Sequence, residues 1–130
     1  MVFIKPVMIH RLVQATLYLW VACILLISQV HAATNPVVVA EIQHLRSFVA
    51  GSSCAFIRNG SEHPSAEALQ HIDRKAGHFE DEIDSAEKFI ELAASKSLIS
   101  RRTYHVICEG IETTSAEWLL QELTKYRSHL

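Results

Sequence analysis

Two cysteines, Cys54 and Cys108, constrain the fold of this 130-residue chain more than any other feature. The third cysteine, Cys23, lies in an apolar N-terminal segment that we expect to be removed on export. Two thiols that reach an oxidising compartment favour one disulfide. Closing a loop of about 55 residues stabilises a fold by roughly 4 kcal/mol in the chain-entropy model. No CxxC redox motif is present, so we predict a structural bridge.

The N-terminal segment has the organisation of a secretory signal peptide. Lys5 and Arg11 make its start basic, and residues 12–27 form an apolar run. Small side chains at Val30 and Ala32 fit the −3 and −1 positions of a signal peptidase site, so we predict cleavage after Ala32. The alternative is an uncleaved membrane anchor, because the run is close to the minimum length of a spanning helix.

Removal of residues 1–32 leaves residues 33–130, which we expect to form a single small globular domain in the periplasm or outside the cell, without stable membrane insertion. The whole chain has 12 Lys+Arg, 14 Asp+Glu and a net charge of −2. Because the leader is basic, the remainder is more acidic, which argues against a nucleic-acid partner. A content of 49% hydrophobic residues excludes collagen-like and disordered classes.

Four predicted helices each combine a start signal with an apolar face. The start signals are Asn35 with Pro36, Pro64, Asp84 with Glu87 in capping-box spacing, and Thr114 with Glu117 in a capping box. The apolar faces are Val38, Ile42, Leu45 and Val49; Leu69, Ile72, Ala76 and Phe79; Ala86, Phe89, Ile90 and Ala93; and Leu119, Leu123 and Tyr126.

Two short segments, residues 54–57 and 104–108, have β-forming composition. Asn59 and Gly60 end the first of them with turn chemistry. We therefore predict a predominantly helical α+β fold with about four helices, a short two-stranded β-ribbon and one disulfide. No internal repeat is evident.

Several short segments identify a resemblance. They are residues 54–60 (CAFIRNG), 67–68 (EA), 71–72 (HI), Lys75, 85–90 (SAEKFI), 94–97 (ASKS) and 104–106 (YHV). In this order they resemble the YfeK-like family of small exported bacterial proteins, over roughly residues 37–126. The resemblance implies export, an envelope location and a compact helical fold, but no activity or ligand. The sequence departs from the family pattern at Arg101 and Arg102, where we expect a glycine-containing turn before Tyr104.

A ligand pocket is one candidate site. Arg58 and Asn59 end the first predicted strand, and His71 and Lys75 lie on the adjacent helix. With Tyr104 they can surround a carboxylate or another small anion, for which arginine offers a planar fork of donors. The alternative is that Arg58 pairs with a nearby carboxylate and only fixes the turn.

A metal site is the second candidate. His63, Glu67 and His71 recur every four residues, and histidine and carboxylate at this spacing can bind Zn²⁺ from one helix face. No further ligand is marked in the sequence. The alternative is a solvated polar face opposite Leu69 and Ile72.

These patterns favour a non-enzymatic binding or interaction module whose partner is a protein or small molecule of the cell envelope. A metal-binding protein is the first alternative. An enzyme centred on Arg58, His71 and Tyr104 is the second, although the sequence marks no nucleophile for it. No cofactor motif is present, and no cofactor is expected.

Overall fold

The computed structural model describes residues 35–130, together with Arg11 and Gln14. The predicted signal peptide and its cleavage after Ala32 lie outside the described residues and stay predictions. Within the described part, no helix has both the length and the apolar character needed to cross a membrane.

Residues 35–130 form four helices, which confirms the predicted number. They are α1 (Pro36–Ala50), α2 (Ser65–His78), α3 (Ala86–Phe89, continued by the π-helical turn Ile90–Ala94) and α4 (Ser115–Arg127). A 3₁₀ turn, Glu80–Glu82, lies between α2 and α3.

Side-chain caps begin three of the helices. The Asn35 carboxamide oxygen accepts from the Val37 amide at 3.0 Å, and Thr114 Oγ1 accepts from the Glu117 amide at 3.2 Å. The cap of α3 is Ser85, one residue later than predicted, because Ser85 Oγ accepts from the Lys88 amide. Asp84 instead accepts a hydrogen bond from the Ser85 hydroxyl at 3.1 Å.

The sheet has four antiparallel strands, so the prediction of a two-stranded ribbon is wrong. They are β1 (Ala55–Arg58), β2 (Ser61–His63), β3 (His105–Cys108) and β4 (Ile111–Thr114), in the order β2-β1-β3-β4. The pairing of β1 with β3 is the ribbon that the sequence indicated. The edge strands β2 and β4 are the additions.

Two tight turns explain the extra strands. Asn59 and Gly60 have φ of 52° and 81°, and Glu109 and Gly110 have φ of 51° and 80°. Two successive residues with positive φ form the hairpin turn whose twist matches that of paired strands. Each turn therefore returns the chain along the strand it has just left, instead of only ending that strand.

The chain contains an internal repeat, contrary to the expectation from its sequence. Each half is a helix, a β-hairpin and a second helix: α1, β1, β2, α2 and then α3, β3, β4, α4. At a constant offset the halves share identical residues, including Ile57 with Ile107, Gly60 with Gly110, and Glu67 with Glu117. Phe56 pairs with Val106, its own equivalent, so an approximate twofold axis passes through the centre of the sheet.

The predicted disulfide between Cys54 and Cys108 is confirmed. The register of β1 against β3, continued by one residue, places these cysteines opposite each other. Their Cα atoms are 4.6 Å apart, the spacing of a non-hydrogen-bonded antiparallel pair. The bridge thus fastens one end of the central strand pair.

The core lies between the helices and the inner face of the sheet. Leu45 and Val49 of α1 and Leu119 and Leu123 of α4 are buried, as their predicted faces require. The strands contribute Phe56 and Val106, and the other helices add Ile72, Phe89, Ile90 and Ala93. This packing sets α2 beside β1, where the candidate site lies.

Candidate functional site

A small cavity lies on the inner face of the sheet, between the central strands, α2 and α4. Its volume is about 30 Å³, which holds water or a group of a few atoms. Apolar side chains such as Phe56, Ile72 and Trp118 form most of its wall. The polar members of the wall are Arg58, His63, His71, Tyr104, His105 and Ser115. No aspartate or glutamate of the described residues lines it.

His71 and Tyr104 form the centre of the polar wall. His71 Nε2 and the Tyr104 hydroxyl share a hydrogen bond at 3.0 Å, and the two rings meet edge to face. Burial, helped by the positive charges of Arg58 and Lys75, lowers the pKa of His71 to about 4. Burial also raises the pKa of Tyr104. Both side chains are therefore neutral at physiological pH and available as hydrogen-bond partners.

Lys75 follows His71 by one helical turn and is buried. Its Nζ donates to the Lys96 carbonyl at 2.6 Å and lies 5.0 Å from the centre of the Tyr104 ring. Burial, with a contribution from the charge of Lys96, lowers the pKa of Lys75 to about 8. A lysine that is partly desolvated in this way gains more from a nearby anion than an exposed one does.

Arg58 supplies the remaining charge. It is the last residue of β1, and the register of β1 against β3, continued by one residue, places it opposite Tyr104. Within residues 35–130 its guanidinium forms no ion pair and no side-chain hydrogen bond at standard distances. The fork of donors is thus open to a ligand at the cavity wall.

The structure brings four of the five predicted ligand residues together: Arg58, His71, Lys75 and Tyr104. The fifth, Asn59, is exposed in the hairpin turn, where its Oδ1 accepts from the Ser100 hydroxyl at 2.6 Å. Asn59 therefore shapes the turn and does not reach the cavity.

The three residues of the predicted metal site do not share one helix face. His63 lies on β2, because the helix begins only after Pro64. His63 Nδ1 donates to Glu67 Oε2 at 2.9 Å, whereas His71 Nε2 bonds to Tyr104. Across the described residues, no group of three His, Cys, Asp or Glu side chains is arranged to hold a metal ion.

The internal repeat gives the site a counterpart. Arg58 is equivalent to Cys108, and Tyr104 is equivalent to Cys54. One end of the central strand pair therefore carries a covalent bond, while the other carries a cationic and a neutral polar side chain. The approximate twofold axis thus relates a covalently fastened end of the strand pair to a polar end.

The match to a family model decides the membership of this chain. Residues 36–127 match the model described as a family of unknown function, DUF5329. The chain belongs to this family. The matched range of the DUF5329 domain contains all four helices, all four strands, the disulfide and every residue that lines the cavity.

A curated relative of the DUF5329 domain is the uncharacterized protein YfeK of Salmonella typhimurium strain LT2. The two are 43% identical over 49 residues, which make up 38% of this chain and 41% of YfeK. The chain thus spans about two fifths of the length of that relative. No solved structure matches the chain.

Sequence reasoning missed the contribution of α4 to the cavity in the DUF5329 domain. Ser115 and Trp118 of α4 line it, although both lie far along the chain from Arg58. The signal that finds them is the repeat. Ala68 is equivalent to Trp118, and both residues line the cavity.

Proposed function

We propose that this chain is an exported, non-enzymatic binding module of the cell envelope, and that its cavity accepts the carboxylate or phosphate group of a small ligand. The observation that supports this most directly is the guanidinium of Arg58. It stands at the cavity wall without a carboxylate partner among residues 35–130. Arginine in such a setting favours planar, bidentate anions.

The surroundings of Arg58 also favour an anionic group. Lys75 adds a partly desolvated positive charge, and the neutral side chains of His71 and Tyr104 add hydrogen-bonding capacity. An anion that entered the cavity would meet no acidic side chain of the described residues in its wall. The small volume limits the buried part of the ligand to a few atoms, with the remainder outside.

Export and an envelope location remain part of the proposal. The leader-like N-terminus motivates them, and the disulfide supports them, because such bonds persist in oxidising compartments. The binding class is favoured over the enzyme class because His71 and Tyr104 bond to each other, and no hydrogen bond among the described residues joins His71 to the hydroxyl of Ser115 in the cavity wall.

Thermal unfolding in the presence of small anions tests the binding proposal. Protein is purified in the form that cells accumulate and heated with acetate, octanoate or inorganic phosphate, each compared with chloride at equal ionic strength. A ligand that binds only the folded state raises the melting temperature with its concentration. We expect one of the three anions to do so and to change the fluorescence of Trp118, which lines the cavity.

The variant Arg58→Gln separates specific binding from a general salt effect. We expect it to abolish the anion-dependent shift, whereas Arg74→Gln, a change at an exposed arginine of α2 that does not line the cavity, retains it. Equal shifts in both variants, or no shift with any of the three anions, would contradict the proposal.

A further inference from the structure

The loop between α3 and β3 ends in a closed tip, residues 97–102. The Ser97 amide donates to the Arg102 carbonyl at 2.9 Å, and the Arg101 amide donates to the Ser97 carbonyl at 3.1 Å. Lys96 and Thr103 form an antiparallel bridge beneath it. These hydrogen bonds and the bridge close the tip at its base.

Two apolar side chains project from this tip. Ile99 is 96% exposed and Leu98 is 44% exposed, and neither belongs to the core cluster. An isolated exposed apolar residue is ordinary on a protein surface. Two adjacent exposed apolar residues at the apex of a closed loop are less ordinary, because the loop places both side chains in solvent.

The charged residues that flank the apolar pair in the sequence are all basic. Lys96, Arg101 and Arg102 flank it and are exposed, and none of them forms an ion pair within residues 35–130. No aspartate or glutamate occurs anywhere in residues 92–108. In a chain with a negative net charge, this tip is a local excess of positive charge.

The repeat shows that the tip replaces the last turns of a helix. In the first half, residues 51–54 connect α1 directly to β1. In the second half, residues 95–104 make the equivalent connection from α3 to β3. Because the halves keep a constant offset, residues 95–100 of this longer connection occupy the positions of residues 45–50, which form the end of α1 in the first half.

We propose that the tip docks this domain on a bilayer surface that contains anionic lipid. Leu98 and Ile99 enter the boundary between headgroups and acyl chains, while Lys96, Arg101 and Arg102 contact the anionic headgroups. A lipid surface fits better than a protein, because two side chains offer far less than the roughly 800 Å² that each partner buries in a stable protein interface. The contact is peripheral and does not depend on the anion-binding cavity.

Vesicle sedimentation tests this contact. Protein in the form that cells accumulate is mixed with vesicles of phosphatidylcholine alone or with added phosphatidylglycerol, at low and at high salt. We expect binding to the anionic vesicles that weakens as salt rises, since screening reduces the attraction of the basic residues. Any N-terminal segment retained in that form is common to all variants, so its effect on vesicle binding cancels when the variants are compared.

Variants of exposed residues identify the tip as the point of contact. Leu98→Ser with Ile99→Ser is expected to weaken binding to anionic vesicles by about tenfold or more, because the apolar insertion is lost. Ile111→Ser is the matched control. Ile111 is 72% exposed beside the hairpin turn at Glu109 and Gly110, and this variant should retain wild-type binding. Arg101→Gln with Arg102→Gln should remove most of the preference for phosphatidylglycerol.

Tryptophan substitutions give a second, position-specific measurement. With brominated lipid in the anionic vesicles, Ile99→Trp should be quenched, and Ile111→Trp should not. No binding of the wild-type protein to anionic vesicles, unchanged binding after loss of Leu98 and Ile99, or equal quenching at both positions would overturn the proposal. The first two results would make an acidic protein the better candidate for the tip.

Discussion

His71 connects the candidate site to the pH dependence of folding. Its pKa in the folded state, about 4, lies below the ordinary value of 6.5. Between these two pH values the unfolded chain binds a proton that the folded chain does not bind. The contribution of His71 to stability is therefore complete above pH 6.5 and is lost as the pH falls towards 4.

Urea unfolding at pH 7 and pH 5 measures this contribution. We expect His71→Gln to lose less stability than the wild type over this interval, because the variant has no imidazole to protonate. His78→Gln, at the exposed end of α2, should lose as much as the wild type. Identical losses in all three proteins would show that His71 is not the group responsible.

Arg101 occupies a strained backbone position. Its φ of 62° is in the left-handed region, which costs an L-residue about 1–2 kcal/mol. We expect Arg101→Gly to raise the free energy of unfolding by about 0.5–1 kcal/mol, despite the greater freedom of glycine in the unfolded chain. Arg102→Gly, without positive φ, should lower it by about 0.5–1 kcal/mol. Chemical denaturation of both variants checks the contrast in sign.

Among the helices, one arginine joins three elements. Arg127 at the end of α4 forms a two-pronged ion pair with Glu41 of α1, at 2.7 and 2.9 Å, and a second with Glu87 of α3. Glu41 is only 5% exposed. These hydrogen bonds raise the pKa of Arg127, with Glu41 the main cause, and lower that of Glu87.

Loss of this arginine should destabilise the helix packing. Arg127→Met leaves the buried Glu41 carboxylate without its partner, and we expect a cost of about 2–3 kcal/mol in urea unfolding. Glu87→Gln is the control, because Glu87 is exposed and its contribution should stay below about 1 kcal/mol. The further change Glu41→Leu in the Arg127→Met background should recover much of the loss. A cost as small as that of Glu87→Gln would contradict the assignment.

The helices were predictable because each carries local signals. Asn35 and the pair Thr114 and Glu117 identify their caps, and the apolar spacing identifies the buried faces. The edge strands β2 and β4 were not predictable, because a strand of three or four residues, such as Ser61–His63, is too short to show an alternating hydrophobic pattern. Their position is set by the turns with positive φ at Gly60 and Gly110. In the sequence such a turn indicates that a strand ends, but it does not show that the chain reverses and forms another strand.

The candidate site was predictable in part. Arg58, His71 and Lys75 are polar residues close in sequence, so a shared pocket could be inferred from a strand end and an adjacent helix. The contribution of α4 could not be inferred, because it depends on how the second half packs against the first. The repeat that carries this information was not recognised, since its identical residues are scattered among substitutions.

For the whole molecule, the disulfide is a covalent cross-link between the two halves. We expect replacement of Cys54 and Cys108 by alanine to lower the free energy of unfolding by roughly 4 kcal/mol, because the unfolded chain regains the freedom of a long loop. Urea unfolding of the double variant and of the reduced wild type measures this change. A midpoint equal to that of the oxidised protein would show that packing alone determines stability.

The position of the disulfide also decides where the sheet can move. One end of the β1–β3 ladder is clamped covalently, and the other ends at Arg58 and Tyr104 with noncovalent contacts alone. Breathing of the two strands must therefore hinge at the cysteines and open at the polar end. Amides near Ile57 and His105 should exchange with deuterium sooner than those near Ala55 and Ile107. Such a hinge would enlarge the cavity for a ligand while the rest of the core stays closed.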